Sequence, residues 1–382
     1  ENTTSSMGRI DGDFGWHQQL RLIEQARNLQ PEVPSTLETR LRDYQIAGFE
    51  WLTRLAHWGL GACLADDMGL GKTIQALAII LKRAPDGPTL VVAPTSVCLN
   101  WQDETSHFAP SLTIRSLDNR DRQAVVNGLG KNDLLITSYT LLQQETELLA
   151  SVEWQTIVLD EAQAIKNTAT KRSRAAMALS GKFKLLTTGT PIENHLGELW
   201  NLFHFITPGL LGSLKEFNER FAVPIERQQS QTARHKLKKL IQPFILRRTK
   251  AQVLAELPPR TETTLRIEPS AEEAAFYEAV RMRAVEKLAE AADGKPKPLQ
   301  ILGEIMRLRR ACCHPKLVMP DSNIEGSKLC QVLETIDELR SENHQVLIFS
   351  QFVDHLQLLR EQLDQREIAY QYLDGSTPAL SL

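Results

Sequence analysis

The sequence predicts an α/β fold built on a parallel β-sheet. Three observations support this prediction. Apolar runs with strand composition alternate with amphipathic helical segments, a glycine-rich turn (GLGKT, residues 69–73) separates one such strand from a helix, and two adjacent acids, Asp160 and Glu161, end another apolar run. Alternation of this kind is typical of α/β domains, in which ligands bind at the carboxyl ends of the strands.

Five apolar runs are predicted to be strands of this sheet, namely residues 62–65, 89–93, 133–138, 156–159 and 184–188. After the glycine-rich turn, Ile74, Leu77, Ala78 and Leu81 recur at helical spacing, which predicts an amphipathic helix. A further, weak helix is predicted at residues 16–27. Strand, glycine-rich turn and helix together form the arrangement in which backbone N–H groups bind phosphate.

Beyond residue 208 the strand signal nearly disappears until about residue 343. Helices are predicted in this region at residues 214–221, 271–292 and 299–312, with an exposed loop at residues 294–298. Strands are predicted to resume at residues 345–349 and 370–373, and no internal repeat of fixed period is present.

Composition and charge narrow the function. With 44 Lys plus Arg against 47 Asp plus Glu, the net charge is −3, so any nucleic-acid site is expected to be a local patch rather than the whole surface. No apolar run is long enough for a membrane span and the first residues do not resemble a signal sequence, which predicts a cytoplasmic protein without a membrane partner. The five cysteines contain no C-x-x-C and are interpreted as reduced thiols, with packing rather than zinc binding expected for Cys312, Cys313 and His314.

The glycine-rich turn is close to the phosphate-binding pattern G-x-x-x-x-G-K-[ST], except that Asp66 stands where the pattern has its first glycine. In this pattern Lys72 reaches the β/γ-phosphates of a nucleotide, and the Thr73 hydroxyl ligates Mg²⁺. The alternative is a simple strand–helix turn with an exposed lysine. The flanking strand and helix favour the phosphate site.

The acidic pair suits the same chemistry. Asp160 is predicted to hold Mg²⁺ through water, and Glu161 to orient and deprotonate the attacking water, as phosphoryl transfer requires. The alternative is a pair of solvated acids at the positive end of a helix dipole.

DNA binding is suggested by charge and by hydroxyl groups. Between residues 227 and 250 the chain has basic side chains and no acidic ones, which suits binding to a phosphate backbone without reading its sequence. A solvated helical face explains residues 234–239 equally well. The hydroxyls of Thr95, Ser96, Thr137 and Ser138 end predicted strands, where they can bind phosphates. From the family resemblance described next, Trp101 is expected to pack in the interior rather than stack on bases.

A series of motifs then identifies a family. In chain order the motifs are LRDYQIAGFEWL (41–52), ADDMGLGKT (65–73), LVVAPTSVCLNW (90–101), LLITSYTLL (134–142), LDEAQAIKN (159–167), LLTTGTPIENHLGELW (185–200), PFILRRTKAQVLAELPPR (243–260), LRRACCHP (308–315) and VLIFSQF (346–352). This series resembles the Swi/Snf-type ATPases, which are DNA translocases of helicase superfamily two. Asp-Asp before Met-Gly and the Gln that ends Asp-Glu-Ala-Gln are similar to bacterial members.

The resemblance implies a domain organisation. A partly helical leader (1–35) precedes a first RecA-like ATP-binding lobe of the P-loop NTPase type (36–206). Helical protrusions and a linker (207–343) follow, and then a partial second RecA-like lobe (344–382).

The resemblance also implies roles for individual residues. The nucleotide-binding set is Arg42, Gln45, Asp67, Met68, Gly69, Leu70, Gly71, Lys72 and Thr73, with Gln45 at the adenine edge and Arg42 beside it. The motif that couples phosphate state to the grip on DNA is Thr188, Gly189 and Thr190, and the further DNA contacts are Arg247, Arg248, Lys250, Ser350, Gln351, Gly375, Ser376 and Thr377. Without the resemblance, Gln45 is more simply a polar residue on an exposed helix face, and TGTP a turn.

The implied function is ATP-driven translocation along double-stranded DNA by a monomer that displaces or remodels an unidentified DNA-bound protein, with ATP and Mg²⁺ as cofactors. A strand-separating helicase and a nucleotide-gated DNA-binding module without sustained turnover remain as alternatives. Because the family's later motifs, including an arginine finger, do not appear before residue 382, the chain alone is expected to bind ATP but to hydrolyse it slowly.

Overall fold

The computed structural model describes residues 14–117, 121–189, 195–253, 262–289 and 298–377. The chain divides into two compact units, Glu1–Pro259 and Arg260–Leu382. The described strands are β1 (Ala62–Leu64), β2 (Thr89–Ala93), β3 (Thr113–Arg115), β4 (Asp133–Ser138), β5 (Thr156–Asp160), β6 (Lys184–Thr187) and β7 (Ile245–Leu246). They form one sheet in the order β3-β4-β2-β5-β6-β1-β7, and all neighbouring pairs are parallel.

Helices surround this sheet in the first unit and make up the regular structure described in the second. Those of the first unit are α1 (Phe14–Asn28), α2 (Asp43–Trp58), α3 (Lys72–Arg83), α4 (Thr95–Phe108), α5 (Arg122–Asn127), α6 (Tyr139–Gln144), α7 (Thr146–Ala150), α8 (Lys171–Met177), α9 (Leu196–Ile206), α10 (Leu214–Phe217), α11 (Val223–Glu226), α12 (Gln231–Ile241) and α13 (Lys250–Val253). Those of the second are α14 (Ala271–Ala289), α15 (Pro298–Cys313), α16 (Ser327–Ser341) and α17 (Val353–Gln365).

The central strands form because their side chains are buried on both faces. Every residue of β1, β2 and β5 is buried. A parallel sheet covered by helices on both faces needs such continuous apolar runs. The predicted α/β fold with a parallel sheet is therefore confirmed, and all five predicted strands are observed within one residue of their expected ends.

Two short strands were missed by the sequence prediction. β3 lies at one edge of the sheet, and its three residues are exposed or half-buried. β7 has two residues and lies within the basic stretch, where no strand was expected. Both form through main-chain pairing with a neighbour, β4 or β1, which leaves little trace in the hydrophobic pattern.

The first unit includes residues that the sequence prediction placed after its first lobe. Phe217, Phe221, Leu237 and Phe244 belong to the same buried core as the strands. The chain from α10 to β7 therefore packs on the sheet. The four-part division remains a prediction.

In the second unit the two predicted strands are not observed, and that prediction was wrong. Residues 345–349 and 370–373 have no regular secondary structure, and Leu347 and Phe349 are 85% and 89% exposed. Because a strand is held by hydrogen bonds to a neighbour, an apolar run that pairs with no other described segment does not become one. The small core of this unit lies between α16 and α17 and includes Leu333 and Leu359.

The helix predictions for this unit hold, since α14 and α15 cover the described parts of the two predicted segments. Most of the predicted loop at residues 294–298 lies outside the described residues, and Pro298 begins α15. Among the described residues, no helix combines the length and apolar character that a membrane crossing needs. All five cysteines are free.

Candidate functional site

Three loops meet at the carboxyl edge of the sheet. The register aligns Leu64 of β1 with Thr187 of β6, and Thr187 with Asp160 of β5. The loop after β1, the acidic pair at the end of β5 and the residue that follows β6 are therefore neighbours. This edge is where open α/β sheets bind ligands.

The loop after β1 needs both of its glycines. Gly69 and Gly71 have positive φ angles of +83° and +72°, and a Cβ on Gly71 would lie 2.5 Å from Gln45 Nε2. Leu70, between them, is fully buried. The loop therefore approaches α2 closely and then turns directly into α3, which begins at Lys72.

Lys72 is folded across this loop. Its ammonium donates hydrogen bonds to the main-chain oxygens of Asp66, at 2.8 Å, and of Asp67, at 3.4 Å. The positive charge therefore lies beside the N-terminus of α3, which also favours anions. This placement is compatible with the predicted phosphate contact.

Gln45 supports the loop from the first turn of α2. The side chain is 7% exposed, so the interpretation as a residue on an exposed helix face was wrong. Its amide donates to Leu70 O at 3.3 Å, and its oxygen accepts from Arg42 N at 2.9 Å. The hydroxyl of Tyr44 also donates to Leu70 O, at 3.2 Å. The predicted contact of Gln45 with adenine stays a prediction, and so does the predicted role of Arg42, which is exposed.

Asp160 is held by a full set of donors. It is 9% exposed, which excludes a freely solvated acid at a helix end. Oδ2 accepts from Trp101 Nε1 at 2.9 Å, and Oδ1 accepts from the main-chain N of Glu161, at 3.0 Å, and from the Thr187 hydroxyl. The hydroxyl of Tyr139 donates to Asp160 O at 2.8 Å, and burial raises the pKa of this tyrosine well above its usual value. The carboxylate orientation is therefore fixed.

Glu161 is joined to the predicted coupling motif. Its φ of +47° is in the left-handed region, a conformation that is costly for a residue with a side chain and is often found at functional sites. Gln163 Nε2 donates to Glu161 Oε2 at 2.8 Å, and the Thr188 hydroxyl donates to Gln163 Oε1 at 3.0 Å. A Cβ on Gly189 would lie 3.4 Å from Met68 Cγ, so this motif is also close to the phosphate-binding loop. Thr190 lies outside the described residues.

The donor set fits Mg²⁺ held largely through water. Among the described residues, no three His, Cys, Asp or Glu side chains are placed to hold a metal ion by themselves. Mg²⁺ keeps several waters and needs only one or two carboxylates together with substrate phosphates. Burial and the charge of Asp160 raise the pKa of Glu104, and an interaction with the Thr73 side chain opposes this rise. A divalent cation would offset this concentration of negative charge.

Two residues of this site, Trp101 and Glu104, were missed as functional candidates. They lie three positions apart on α4, so they share a helix face, and that face contacts Asp160 and Thr73. The expectation that Trp101 packs in the interior is confirmed, since it is 1% exposed. Their i, i+3 spacing was visible in the sequence, but their contact with the end of β5 was not.

We expect Trp101→Phe to raise the Mg²⁺ concentration needed for half-maximal nucleotide binding by about 10- to 100-fold, because Asp160 loses one of the donors that orient it. Trp154→Phe is the matched control. Trp154 is also fully buried and donates at 2.9 Å, but to Leu149 O. Titration of both variants with Mg²⁺ in the presence of a fluorescent ATP analogue measures the difference, and equal shifts in the two would show that only packing was lost.

The predicted DNA contacts of the first unit divide into exposed and buried groups. Thr95 and Ser96 are exposed at the start of α4, and Ser138 is half-buried at the end of β4. Thr137 is 4% exposed, and its hydroxyl has no hydrogen-bond partner among the described residues. Residues 133–137 of β4 are all buried, so this strand is covered on both faces up to Thr137. The structure therefore contradicts a DNA contact through the Thr137 hydroxyl.

The arginines after β7 also point in opposite directions. Arg247 and Lys250 are exposed. Arg248 faces inward and forms an ion pair with the fully buried Asp66, and its side chain is only 14% exposed. A guanidinium engaged in this way is not placed to bind a DNA phosphate, so the DNA contact predicted for Arg248 needs correction.

The predicted contacts of the second unit lie in two turns. The Ser350 hydroxyl bonds with the main chain of Phe352, and Gln351 accepts a hydrogen bond from Arg309. In the second turn, Asp374 accepts from the main chain and hydroxyl of Ser376, at 2.7 and 2.6 Å. These bonds and one from Tyr372 lower the pKa of Asp374 to about 2.

The remaining residues of that second turn are available for contacts. A Cβ on Gly375 would meet nothing within 4 Å, and the Thr377 hydroxyl accepts from the main-chain N of Asp374 at 3.1 Å. DNA contacts by both turns stay predictions.

Comparison with known proteins identifies relatives of this chain. The chain is 39% identical over 374 residues to the putative ATP-dependent helicase/translocase YwqA of Bacillus subtilis, covering 94% of this chain and 40% of that protein. It is 35% identical to the ISWI chromatin-remodeling complex ATPase CHR11 of Arabidopsis thaliana, covering 90% of this chain and 34% of that protein. The chain therefore spans less than half the length of these two relatives.

Solved structures and the family match agree with these relatives. The SWI2/SNF2 ATPase core of Sulfolobus solfataricus in complex with dsDNA is similar with a TM-score of 0.58 and 37% identity, over 89% of this chain and 73% of that one. The SNF2-related domain matches residues 44–317. Since this match includes the phosphate-binding loop, the acidic pair and the segment after β7, the chain belongs to the SNF2-related family.

Proposed function

We propose that the protein carrying this chain is a DNA-stimulated ATPase that translocates along double-stranded DNA and displaces or remodels proteins bound to it. The observation that carries the proposal is the hydrogen-bonded connection from Glu161 through Gln163 to Thr188. It joins the predicted water-activating acid to the predicted coupling motif. A motor needs such a connection, because hydrolysis must change the grip on its track.

The chemistry proposed for the site is hydrolysis of ATP by in-line attack of water. Lys72 and the loop N–H groups bind the β/γ-phosphates, and Glu161 accepts a proton from the attacking water. Thr73 and Asp160 are the residues that would hold Mg²⁺, which when bound neutralises charge on the phosphates. The fixed orientation of Asp160 and the position of Lys72 supply much of the preorganisation that phosphoryl transfer requires.

The proposed DNA interface consists of exposed groups of the first unit. Thr95 and Ser96 begin α4, and Ala93 of the preceding strand is aligned with Ser138, so these hydroxyls share one edge of the sheet. Arg247 and the basic residues of α12 are exposed as well. Exposed hydroxyls, and exposed cations in a stretch without acidic residues, suit a phosphate backbone rather than bases. The solved relative named as a complex with dsDNA supports duplex DNA as the track.

We expect the full-length protein to release phosphate much faster with blunt duplex DNA than without it, and to displace a triplex-forming strand in an ATP-dependent reaction. It should not unwind a tailed duplex, since the proposal has the motor following the backbone of intact DNA. Unwinding of the tailed substrate would favour a helicase. Duplex binding that responds to ATP without sustained phosphate release would favour a nucleotide-gated binding module.

The proposed context is a monomeric protein that acts in the cytoplasm or, in a bacterium, at the nucleoid. The DNA-bound protein that it displaces is identified only as a class. Pull-down with the full-length protein, in the presence and absence of ATP and DNA, is the experiment that addresses this partner.

A further inference from the structure

The segment after β7 runs beside the phosphate-binding loop. β7 pairs with β1 at the edge of the sheet, and the pairing continues beyond both strands. Ala65 N donates to Leu246 O at 2.7 Å, and Asp67 N donates to Arg248 O at 3.0 Å. Lys250 N donates in turn to Asp67 Oδ2 at 3.1 Å. Residues 246–250 are therefore bonded step by step to the first half of the loop.

Asp66 lies at the centre of this contact. Its Oδ1 accepts from the main-chain N and the Nε of Arg248, each at 3.0 Å, and its Oδ2 accepts from Arg248 Nη2. Gln75 of α3 completes the set, donating to Asp66 Oδ2 at 3.3 Å and accepting from Arg248 Nη2 at 2.8 Å. Arg248 Nη1 donates to Tyr44 O. A carboxylate that is fully buried needs such a complete set of partners.

This arrangement explains how the loop tolerates an aspartate where the common pattern has glycine. Asp66 is not among the described residues with positive φ, so its position in the loop does not need the conformational freedom of glycine. The main chain is instead fixed by the ion pair with Arg248. The second half of the loop is fixed separately, through the two bonds from α2 to Leu70 O.

We propose that Arg248 is a positioning residue of the nucleotide site, which holds Asp66 and thereby sets the position of the phosphate-binding loop. The inference rests on the proposed ATP site and assigns Arg248 to it instead of to the DNA interface. The link to binding is direct, because the ammonium of Lys72 bonds to the main-chain oxygen of the same Asp66 at 2.8 Å. If Asp66 shifts, the contact that orients Lys72 shifts with it.

The conservative variant Arg248→Lys tests this role in the full-length protein. Lysine keeps the positive charge but loses the fork of donors that binds both carboxylate oxygens. Because a displacement of about 1 Å can cost about 10²-fold in a reaction step, we expect the ATP Kd to rise at least about tenfold. Asp66→Asn should raise the ATP Kd by a similar factor. The double variant should bind ATP no more weakly than either single variant, because all three proteins lose the same contact.

The measurement is the Kd of a fluorescent ATP analogue with ATP competition, together with duplex DNA affinity and the thermal midpoint. Arg115→Lys is the matched control, because Arg115, the last residue of β3, pairs with Asp133, the first residue of β4, whose side chain is only 7% exposed. We expect that control to lose stability without a change in ATP Kd.

Two results would overturn the proposal. The first is an unchanged ATP Kd for Arg248→Lys together with weaker duplex binding, which would show that Arg248 contacts DNA. The second is an equal rise in Kd for Arg115→Lys, which would reduce the effect to general destabilisation. Lys72→Ala separates this inference from the site itself. If Lys72→Ala also binds ATP normally, the assignment of the nucleotide site is wrong. If Lys72→Ala loses ATP binding while Arg248→Lys keeps it, only the role of Arg248 is overturned.

Discussion

Replacement of Glu161 by glutamine is expected to lower ATP turnover of the full-length protein by about 10²–10⁴-fold, the range that a general base contributes. Nucleotide affinity and its dependence on Mg²⁺ should change little. The substitution removes the proton-accepting charge but keeps an oxygen that can accept the bond from Gln163 Nε2. Asp160 keeps all of its donors, including the main-chain N of residue 161. The chemical step should therefore be lost while the ground-state site remains.

Single-turnover phosphate release and equilibrium binding of ATP measure these two effects separately. Glu153→Gln is the matched control, since Glu153 is exposed and precedes the amino end of β5, whereas Glu161 follows its carboxyl end. The control changes the net charge by the same amount and should leave turnover unchanged. Normal turnover in Glu161→Gln would show that another group activates the water. Of the nearby carboxylates, Glu104 would then be the first to test.

The sequence predicted those parts of the site whose signals are local. The strand before the phosphate-binding loop, the two glycines and the helix from Lys72 are contiguous, so one short stretch carried the whole pattern. Asp160 and Glu161 were found for the same reason. A buried parallel strand needs an unbroken apolar run, and acids directly after it mark the carboxyl edge of the sheet.

The parts that were missed depend on contacts between distant positions. Arg248 and Asp66 are 182 residues apart, and Trp101 and Asp160 are 59 apart. Periodicity cannot report such pairs. The sequence predicted DNA contacts for both Arg247 and Arg248, although Arg247 is exposed and Arg248 faces inward onto Asp66. Thr137 and Ser138 differ because β4 is buried through Thr137 and ends at the half-buried Ser138. Which member of such a pair faces solvent is decided by what packs against the strand.

Replacement of Lys72 by alanine is expected to weaken ATP binding by about 10²-fold or more, because the only lysine within the loop motif is lost and charge-assisted bonds of this kind are each worth about 1.5–3 kcal/mol. The fold should persist. The ammonium bonds only to two main-chain oxygens among the described residues, those of Asp66 and Asp67, and Asp67 O also accepts from Leu70 N. The ion pair that holds Asp66 does not involve Lys72.

Lys82→Ala provides the matched control for this variant. Lys82 is exposed in the last turn of the same helix, α3, so the two substitutions remove the same charge from opposite ends of one element. Calorimetric titration with ATP and Mg²⁺ should show loss of binding for Lys72→Ala only, with both variants unfolding within a few degrees of the parent protein. Equal affinities for the two variants would remove Lys72 from the nucleotide site. The phosphate contact would then have to come from the loop N–H groups, the start of α3 and Lys250, whose ammonium lies 3.4 Å from where a Cβ on Gly69 would be.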